Sequence, residues 1–520
     1  MKRLVSISLF CAIALSVLAV PARQTGYLRV AADGTEKMVY QYGDESFHYM
    51  TDAEGNWLDE TTLMPLTAEQ KAVRQQAGET QRQIRRAHQG TGTDRLLARR
   101  GAVILVSYKD KAFANSFEGM YNWAMGENYT YGGATGSINR YFNDVSGNRY
   151  NMWIDVFGPV TVSKDLNYYG ENNSQGSDKH PDELVVEACK LASTQCGANF
   201  ANYDSNNDGK VDWVVIIYAG KGEADGGASN TIWPHQSDLS YSGKAFLLNG
   251  KTVDHYCCLN EVDGQTNKRC GIGTFCHEFS HIMGLPDLYA TTQSARHKTC
   301  GSWDIMDHGC YNNGGNTPPA YSAYERWFMG WLEPKLLNEP SATVSLPELN
   351  EFYDAAYITD DGSAVNDILY PIPSSFYILE NRQQKGWDKY LPGHGMLVTR
   401  INYNSSRWAG NTVNNVASSM GIDIIEADGL APSGNLGKPG DLYPTGSTEF
   451  TRSLNYQITN IAEENEIITF DVNGGGEMIL LDINNVKHDT PAKKIIRNGR
   501  VVIIRGDKEY DILGNENHQL

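Results

Sequence analysis

The chain lacks an excess of basic residues. Its 520 residues contain 44 Lys and Arg against 62 Asp and Glu, which gives a formal net charge of −18. A nucleic-acid-binding protein carries a basic face, so this balance predicts no nucleic-acid partner. Hydrophobic residues make up 41% of the chain, which is ordinary for a globular protein. The length exceeds what one hydrophobic core supports, so we expect two to four domains.

Long apolar segments are also lacking, apart from one at the N-terminus. The basic pair Lys2-Arg3 precedes an apolar run over residues 4–20, and Val20-Pro21-Ala22 offers small residues for cleavage. This pattern predicts a signal peptide over residues 1–22. A membrane anchor is the alternative, although the run is barely long enough to span a bilayer. No later stretch could span one, so we expect a secreted protein, extracellular or at the cell surface.

Cysteine is absent between Cys11 and Cys189. No thiolate from the first part of the mature chain is therefore present to cap a metal ion. Eight cysteines remain after the predicted signal peptide, all within one third of the chain: Cys189, Cys196, Cys257, Cys258, Cys270, Cys276, Cys300 and Cys310. An even number in an exported chain is compatible with disulfides, which would brace that region, but the pairing cannot be read from the sequence.

Residues 23–100 begin with short runs in which apolar and polar residues alternate. They continue with the polar, helix-prone stretch LTAEQKAVRQQAGETQRQIRRAHQ. Thr67 and Gln70 have the spacing of a capping box at the start of a helix. The dibasic pair Arg99-Arg100 then ends an exposed linker. We predict a removable pro-segment over residues 23–100 and an activating protease that cuts near Arg100. The alternative is an N-terminal subdomain that stays attached.

The rest of the chain divides into three parts. Residues 101–335 alternate apolar runs such as VDWVVIIYAG with the helical pattern PDELVVEACKLASTQ, which predicts a layered mixed α/β domain. Residues 336–475 contain short alternating runs between Gly, Pro and Asn turns, which predicts a β-sandwich. Residues 476–520 hold two apolar runs around Asn498-Gly499, a strong hairpin signal. The predicted fold class is α+β.

The stretch CHEFSHIMGLPD, residues 276–287, carries the strongest chemical signal. On a helix, His277 and His281 lie one turn apart on the same face and can direct their ring nitrogens at one Zn²⁺ ion. Glu278 is offset and can act as general base on a water at the metal. Gly284 can end the helix in a left-handed turn, after which Asp287 returns towards the metal as the third ligand.

Other interpretations of this stretch remain open on the residues alone. Asp287 could be a turn residue beside a proline, and His297 or Asp304 could supply the third ligand instead. In a zinc peptidase of the helix-plus-distant-glutamate type, the third ligand would be Glu325 in YSAYERWFMGW. In a non-catalytic surface or matrix binding protein the metal would be structural, and such a site needs no base at Glu278.

These motifs, with Met306 in GSWDIMDHGC, resemble the immune inhibitor A-type family of secreted zinc metallopeptidases, of the metzincin clan. The resemblance extends over most of residues 27–475, through GDESFHYMTDAEG, VDWVVIIYAGKGEADGG, TIWPHQ and RWFMGWL. It implies a metzincin-like catalytic domain over 101–335, zinc-dependent cleavage of protein or peptide substrates, and an aspartate as third ligand. It also implies that Met306 supports the metal in a methionine turn.

One position departs from the pattern of related metzincins. They often place a tyrosine two residues after the turn methionine, where it helps to stabilise the tetrahedral intermediate, and this chain has His308 there. His308 would take the same catalytic role as an imidazole donor, or it is a surface residue.

A second metal-binding pattern is DSNNDGKVD, residues 204–212. Its alternating oxygen ligands are Asp204, Asn206, Asp208 and Asp212, a spacing that predicts a structural Ca²⁺ site. The bidentate glutamate of a complete EF-hand loop is missing, because Val215 occupies the twelfth position. An Asx-rich turn before a strand is the alternative.

The C-terminal residues 476–520 resemble short terminal modules on secreted bacterial proteases. The resemblance implies a role in sorting or surface retention.

Overall fold

The computed structural model describes residues 19–31, 33–44, 47–85, 99–173, 176–292, 297–430, 436–451, 456–475, 477–480, 493–497, 500–505 and 508–510. The chain divides into two compact units, residues 1–479 and 480–520. Across the described ranges helices and strands are mixed, as the sequence predicts. No helix in these ranges is long and apolar enough to cross a membrane. Residues 1–18 of the predicted signal peptide lie outside the described residues.

The N-terminal part begins with a four-stranded antiparallel sheet in the order β1-β2-β3-β4. Its strands are β1 Tyr27–Val30, β2 Glu36–Asp44, β3 Phe47–Thr51 and β4 Trp57–Leu58. Helix α1, Ala68–Arg85, follows. The predicted capping box is confirmed: Thr67 N donates to Gln70 Oε1 at 2.9 Å and Gln70 N donates to Thr67 Oγ1 at 3.2 Å.

Residues 100–282 build a five-stranded sheet with helices around it. The strands are β5 Arg100–Ser107, β6 Trp153–Thr161, β7 Val214–Lys221, β8 His235–Asp238 and β11 His255–Val262, with a small hairpin of β9 Phe246–Leu248 and β10 Lys251–Val253. The helices are α2 Phe117–Met125, α3 Ile138–Val145, α4 Leu166–Gly170, α5 Pro181–Gln195 and α6 Gly273–Ile282. The sheet order is β6-β5-β7-β11-β8, and the edge strand β8 runs antiparallel to β11 while the other pairs are parallel.

Strand β5 shows why the sequence is continuously apolar there. Val103 and Leu105 belong to one buried cluster, whereas Ala102, Ile104 and Val106 belong to another. Successive side chains of a strand point to opposite faces, so both faces of this sheet are covered. Helix α5 supplies apolar residues to the second cluster and α6 to the first. The central strands are therefore enclosed between helical layers, which is the layered arrangement predicted for residues 101–335.

The following β-rich region contains two sheets. Its elements are α7 Ala323–Phe328, β12 Lys335–Leu336, β13 Ser341–Leu346, α8 Leu349–Phe352, β14 Ala356–Thr359, β15 Ser375–Arg382, β16 Gly395–Asn402, α9 Ser405–Ala409, β17 Ile422–Ile424, β18 Ile458–Glu464, β19 Ile467–Val472 and β20 Glu477–Leu480. One sheet has the order β12-β14-β15-β16-β17 and the other β18-β19-β13-β20. The description as a β-sandwich stays a prediction.

The hydrophobic core continues from the first sheet into the β-rich region. Trp387 packs edge-on against Tyr141 of α3, with ring centroids 5.0 Å apart. Leu391 and Leu397 belong to the same buried cluster as Phe279 of α6. The β-rich region therefore supports the helix that carries the motif.

The C-terminal unit contains an antiparallel sheet of three strands, β21 Lys493–Arg497, β22 Arg500–Arg505 and β23 Lys508–Tyr510. Arg497 pairs with Arg500, which confirms the predicted hairpin. The turn residues 498–499 themselves lie outside the described residues.

The eight cysteines of the mature chain are all described, and each is a free thiol. The sequence is compatible with disulfides that brace this region, and the structure contains none among these eight. Six of the eight are buried, so they contribute as small apolar side chains of the core.

Candidate metal centre and active site

Helix α6 has an apolar face, which packs into the core, and a polar face, which carries the motif. The rings of Phe275 and Phe279 stack with their centroids 5.8 Å apart, and the ring of Phe279 packs edge-on against that of Trp213 with 5.0 Å between the centroids. Gly273 permits the close approach of the segment after the methionine turn, since a Cβ there would lie 1.8 Å from the carbonyl oxygen of Cys310. Gly284 has φ of +96°, which confirms the predicted left-handed turn after the helix.

The turn at Gly284 brings Asp287 to the two histidines of the helix. His277 Nε2 and His281 Nε2 lie 3.2 Å apart, and Asp287 Oδ1 lies 3.2 Å from each of them. On a tetrahedral zinc ion with bonds of about 2.0–2.2 Å, two ligand atoms lie about 3.3–3.6 Å apart. The three atoms therefore have the spacing that one zinc ion needs.

Hydrogen bonds on the far side of each ring set the histidine tautomers. His277 Nδ1 lies 2.7 Å from the carbonyl oxygen of Ile305, and His281 Nδ1 lies 2.8 Å from that of Leu285. A carbonyl oxygen only accepts, so each Nδ1 carries the proton and each Nε2 presents a lone pair. Backbone partners of this kind orient histidine ligands in metal sites.

The Asp287 carboxylate is held by Asn411, which belongs to none of the sequence motifs. Asn411, in the loop after α9, accepts a hydrogen bond from Asp287 N at 2.7 Å and donates one to Asp287 Oδ2 at 2.5 Å. Asp287 Oδ1 is buried and, among the described residues, meets no hydrogen bond of acceptable geometry. The carboxylate is therefore fixed by one oxygen while the other faces the two imidazoles.

Burial by itself raises the pKa of Asp287. The nearby rings of His281 and His277 outweigh this effect and hold that pKa well below its usual range, so Asp287 is a carboxylate at neutral pH. Two imidazole nitrogens and one carboxylate oxygen form a donor set that suits Zn²⁺.

Met306 lies in a tight turn next to this site, as the sequence predicts. The turn is formed by Asp304, whose Oδ1 accepts a hydrogen bond from Met306 N at 2.8 Å. Leu288 N donates to Met306 O at 2.8 Å, which joins the turn to the chain just after Asp287. The neighbouring carbonyl of Ile305 orients His277. The turn thus supports two of the three candidate ligands through the backbone.

The rival third ligands lie elsewhere. His297 Nε2 is 2.8 Å from the carbonyl oxygen of Asn414. Asp304 forms the methionine turn. Glu325 caps its own helix α7 through Ser322. Burial, followed by the charge of Asp304, raises the pKa of Glu325 well above its usual range. The structure groups Asp287, and none of these three, with the two histidines.

Glu278 is fully buried and contacts the N-terminal segment. Val20 N donates a hydrogen bond to Glu278 Oε1 at 2.6 Å. Three aromatic side chains bind the carbonyl oxygens around this contact: Tyr289 Oη donates to Ala19 O at 2.6 Å, Trp233 Nε1 to Val20 O at 3.1 Å and Tyr311 Oη to Pro21 O at 2.8 Å. Residues 19–22 are all buried. The backbone of this segment therefore occupies the space beside the candidate general base.

His308 is buried next to the methionine turn. Its Nδ1 lies 2.6 Å from Asp307 Oδ1, and its Nε2 is without a hydrogen-bond partner in the described part of the chain. Since the carboxylate accepts, Nδ1 carries a proton and Nε2 of the neutral ring carries a lone pair. His308 could therefore donate a hydrogen bond from Nε2 only after it gains a second proton.

The predicted calcium loop folds as a compact turn. Asp204 accepts hydrogen bonds from the backbone N–H groups of Asp208 and Gly209, and its carboxylate also pairs with the Lys251 ammonium. Asp212 accepts from Ser205 N at 3.1 Å. The two ends of the loop thus have protein partners, and Ca²⁺ binding stays a prediction.

A second group of potential metal ligands joins the N-terminal part to the domain beyond it. It consists of His48, Glu60 and Glu223. His48 Nε2 and Glu223 Oε1 form a buried ion pair at 2.9 Å, and the His48 ring stacks on Trp233 at 4.7 Å. We interpret this group as an ion pair, since the two groups contact each other directly.

With this geometry, comparison with known proteins identifies the domain. Residues 102–332 match the model of the immune inhibitor A peptidase M6 catalytic domain. The chain carries a peptidase M6 catalytic domain. Its matched range contains the two histidines, Glu278, Asp287 and the methionine turn. The family is one of metallopeptidases, which implies a metal ion in the M6 domain.

Two relatives agree with this assignment. The pre-pro-metalloprotease PrtV of Vibrio cholerae serotype O1 is 26% identical over 51% of this chain and 30% of the relative. Immune inhibitor A of Bacillus thuringiensis subsp. alesti is 27% identical over 37% of this chain and 31% of the relative. The matched part thus spans less than a third of the length of either relative.

Proposed function

We propose that this protein is a secreted zinc-dependent endopeptidase of the metzincin type that hydrolyses peptide bonds in protein or peptide substrates. The observation that carries the proposal is the 3.2 Å triangle of His277 Nε2, His281 Nε2 and Asp287 Oδ1, with Glu278 on the same helix. A family model for a metallopeptidase covers all four residues.

In this proposal the four residues divide the work. His277 and His281 bind the metal through Nε2, and Asp287 binds it through Oδ1. A bound zinc ion supplies Lewis acidity for the scissile carbonyl and lowers the pKa of a water at its open position towards neutrality. Glu278 accepts the proton of the attacking water and passes it to the leaving amine.

The test replaces Glu278 by glutamine, which keeps the size of the side chain and removes its basicity. Glu278→Gln should retain zinc and fold normally, and should lose roughly two or more orders of magnitude in the rate of peptide hydrolysis. Glu339→Gln, at an exposed glutamate outside the M6 domain, is the control and should remain active. Near-normal proteolysis by Glu278→Gln would refute the mechanism.

We further propose that residues 23–100 are a pro-segment, that residues 19–22 stay attached to its start in the exported protein, and that the chain is latent until this segment leaves. Support comes from the hydrogen bond of Val20 N to Glu278, because a carboxylate engaged by the protein's own backbone is blocked from substrate water. The Tyr289, Trp233 and Tyr311 side chains bind backbone atoms of residues 19–21. The lack of a cysteine in the segment leaves two sources of inhibition, a carboxylate or the segment itself filling the cleft, and these contacts support the second.

Latency is tested by comparing intact protein with protein cut near Arg100 by a trypsin-like enzyme, at equal zinc content. Hydrolysis should rise clearly after the cut, and equal rates would leave the segment as a folding aid or a permanent domain. N-terminal sequencing of the exported protein adds a second measurement. The contacts of residues 19–22 exist in the exported protein only if the signal peptide is cut before Ala19. The sequence predicts a cut after Ala22, which would remove these residues.

His308 is proposed as a catalytic donor that stabilises the tetrahedral intermediate. Its support is the buried Nε2, which has no hydrogen-bond partner among the described residues, and the Asp307 carboxylate that holds the ring through Nδ1. His308→Gln should lower kcat more than it changes KM. An unchanged kcat would assign His308 to the fold alone.

A further inference from the structure

A buried acidic pocket lies at the end of the N-terminal segment and holds the side chain of Arg23. Arg23 Nη1 pairs with Asp263 Oδ2 at 2.6 Å, and the two side chains are 12% and 9% exposed. The guanidinium lies over the ring of Tyr311, 5.5 Å from the centroid. The backbone is held as well, because Arg23 N donates to Ala224 O at 3.0 Å.

The pocket contains a second acidic side chain besides Asp263. Asp225 is a second buried carboxylate, and its Oδ2 accepts from Gly264 N at 2.9 Å. Its Oδ1 has no hydrogen-bond partner among the described residues. Burial and then the charge of Asp263 raise the pKa of Asp225 to about 7. A buried carboxylate costs free energy unless a cation pairs with it, and Arg23 is the cation that pairs with Asp263, so the pocket favours a positive charge.

The pocket belongs to the catalytic domain, whereas its occupant does not. Asp225, Asp263 and Tyr311 lie within the matched range 102–332, and Arg23 comes from the segment that we propose is removed. Val20 contacts Glu278, and Arg23 follows three residues later. Three residues span at most about 11 Å, so the pocket is within a short peptide's reach of the candidate general base.

We propose that the pocket of Asp225, Asp263 and Tyr311 is a substrate subsite that selects an arginine or lysine side chain of the peptide to be cut. Arg23 is its internal stand-in before the segment leaves. Arg23 lies three residues after Val20. In a bound substrate, the selected arginine or lysine therefore lies three residues after the residue that occupies the position of Val20. This inference rests on the proposed peptidase function.

Arginine should fit better than lysine. The guanidinium can pair with a carboxylate through its planar fork and stack on the face of Tyr311 at the same time. A lysine ammonium offers a point charge to the same carboxylates. The expected order of substrates at this position is therefore arginine, lysine, an uncharged residue of similar length, and glutamate last.

A binding experiment tests the pocket without activity. In full-length Arg23→Met protein, N-acetylarginine amide at tens of millimolar should raise the melting temperature, and N-acetylmethionine amide should not. Full-length protein with Arg23 in place should respond to neither ligand. Equal responses of Arg23→Met to the two ligands would overturn the proposal.

An activity experiment tests the role in specificity. Protein cut near Arg100 receives four peptides that differ only at the selected position, which carries Arg, Lys, Met or Glu. The Arg peptide should show at least about tenfold higher kcat/KM than the Met peptide. Asp263→Asn should abolish this preference while Met-peptide cleavage continues. Asp165→Asn, at an exposed residue that makes no side-chain cap, is the matched control and should retain the preference.

The results separate the two proposals. Cleavage of all four peptides at equal rates refutes the subsite and leaves the peptidase function standing. A selective rise in melting temperature without cleavage of any peptide supports the pocket and refutes the function. A preference that survives in Asp263→Asn overturns the assignment of the pocket.

Discussion

Removal of the Asn411 side chain should weaken zinc binding although this residue has no part in the motif. Asn411 makes two hydrogen bonds to Asp287, one to its backbone N–H and one to its carboxylate. Its φ is +49°, a conformation in which alanine would be strained, so Asn411→Gly is the informative variant. Glycine keeps the backbone, including the bond from Thr291 Oγ1 to the carbonyl of residue 411.

The expected magnitude follows from the role of such partners in metal sites. Loss of a side chain that orients a ligand lowers metal affinity by about 10- to 100-fold, which equals about 1.4–2.8 kcal/mol. Loss of two hydrogen bonds should also lower the free energy of unfolding of the metal-free protein by about 1–3 kcal/mol. Asn411→Asp should be worse than Asn411→Gly, because its carboxylate would face the carboxylate of Asp287.

The assay is a titration of metal-free protein with zinc in the presence of a competing chelator, with circular dichroism to check the fold. The control is Asn465→Gly, which changes an exposed asparagine with a similar φ of +51° in the turn between β18 and β19. That variant should bind zinc as the unaltered protein does. Zinc affinity of Asn411→Gly within twofold of the unaltered protein would refute the proposed geometry of Asp287.

Three further predictions concern the rest of the chain. Burial lowers the pKa of His48, but the charge of Glu223 outweighs it and raises this pKa to about 9. The ion pair between the two side chains therefore contributes about 3 kcal/mol of stability. This contribution is fully present below a pH of about 6.5 and is lost as the pH rises through about 9. After a cut near Arg100, the N-terminal segment should therefore dissociate more readily at pH 10 than at pH 7 on a sizing column, whereas His48→Gln should show little pH difference. Added Ca²⁺ should displace Lys251 from the loop and raise the melting temperature, and a response that persists in Asp208→Ala would place the ion elsewhere. Deletion of 477–520 should alter where the protein is retained and leave its activity unchanged, as fractionation and a peptide assay would show.

The local elements and the residue types of the motif could be predicted from the order of the amino acids. The capping box at Thr67, the left-handed turn at Gly284 and the hairpin before Arg500 depend on neighbouring residues, and each forms where the sequence predicts. The spacing of His277 and His281 on one helical face is likewise a property of the helix. These features are local, so short-range sterics and hydrogen bonding are enough to fix them.

Contacts between groups that are distant in the chain could not be predicted in this way, because they depend on the tertiary fold. Asn411 is 124 residues from Asp287, and Val20 is 258 residues from Glu278, separations at which no periodicity or spacing rule applies. The grouping of Asp287, rather than Glu325, with the two histidines and the free state of the eight thiols were also open in the sequence. They depend on how the sheet, its helices and the β-rich region pack around one core, because packing sets which polar groups are buried together and must satisfy one another.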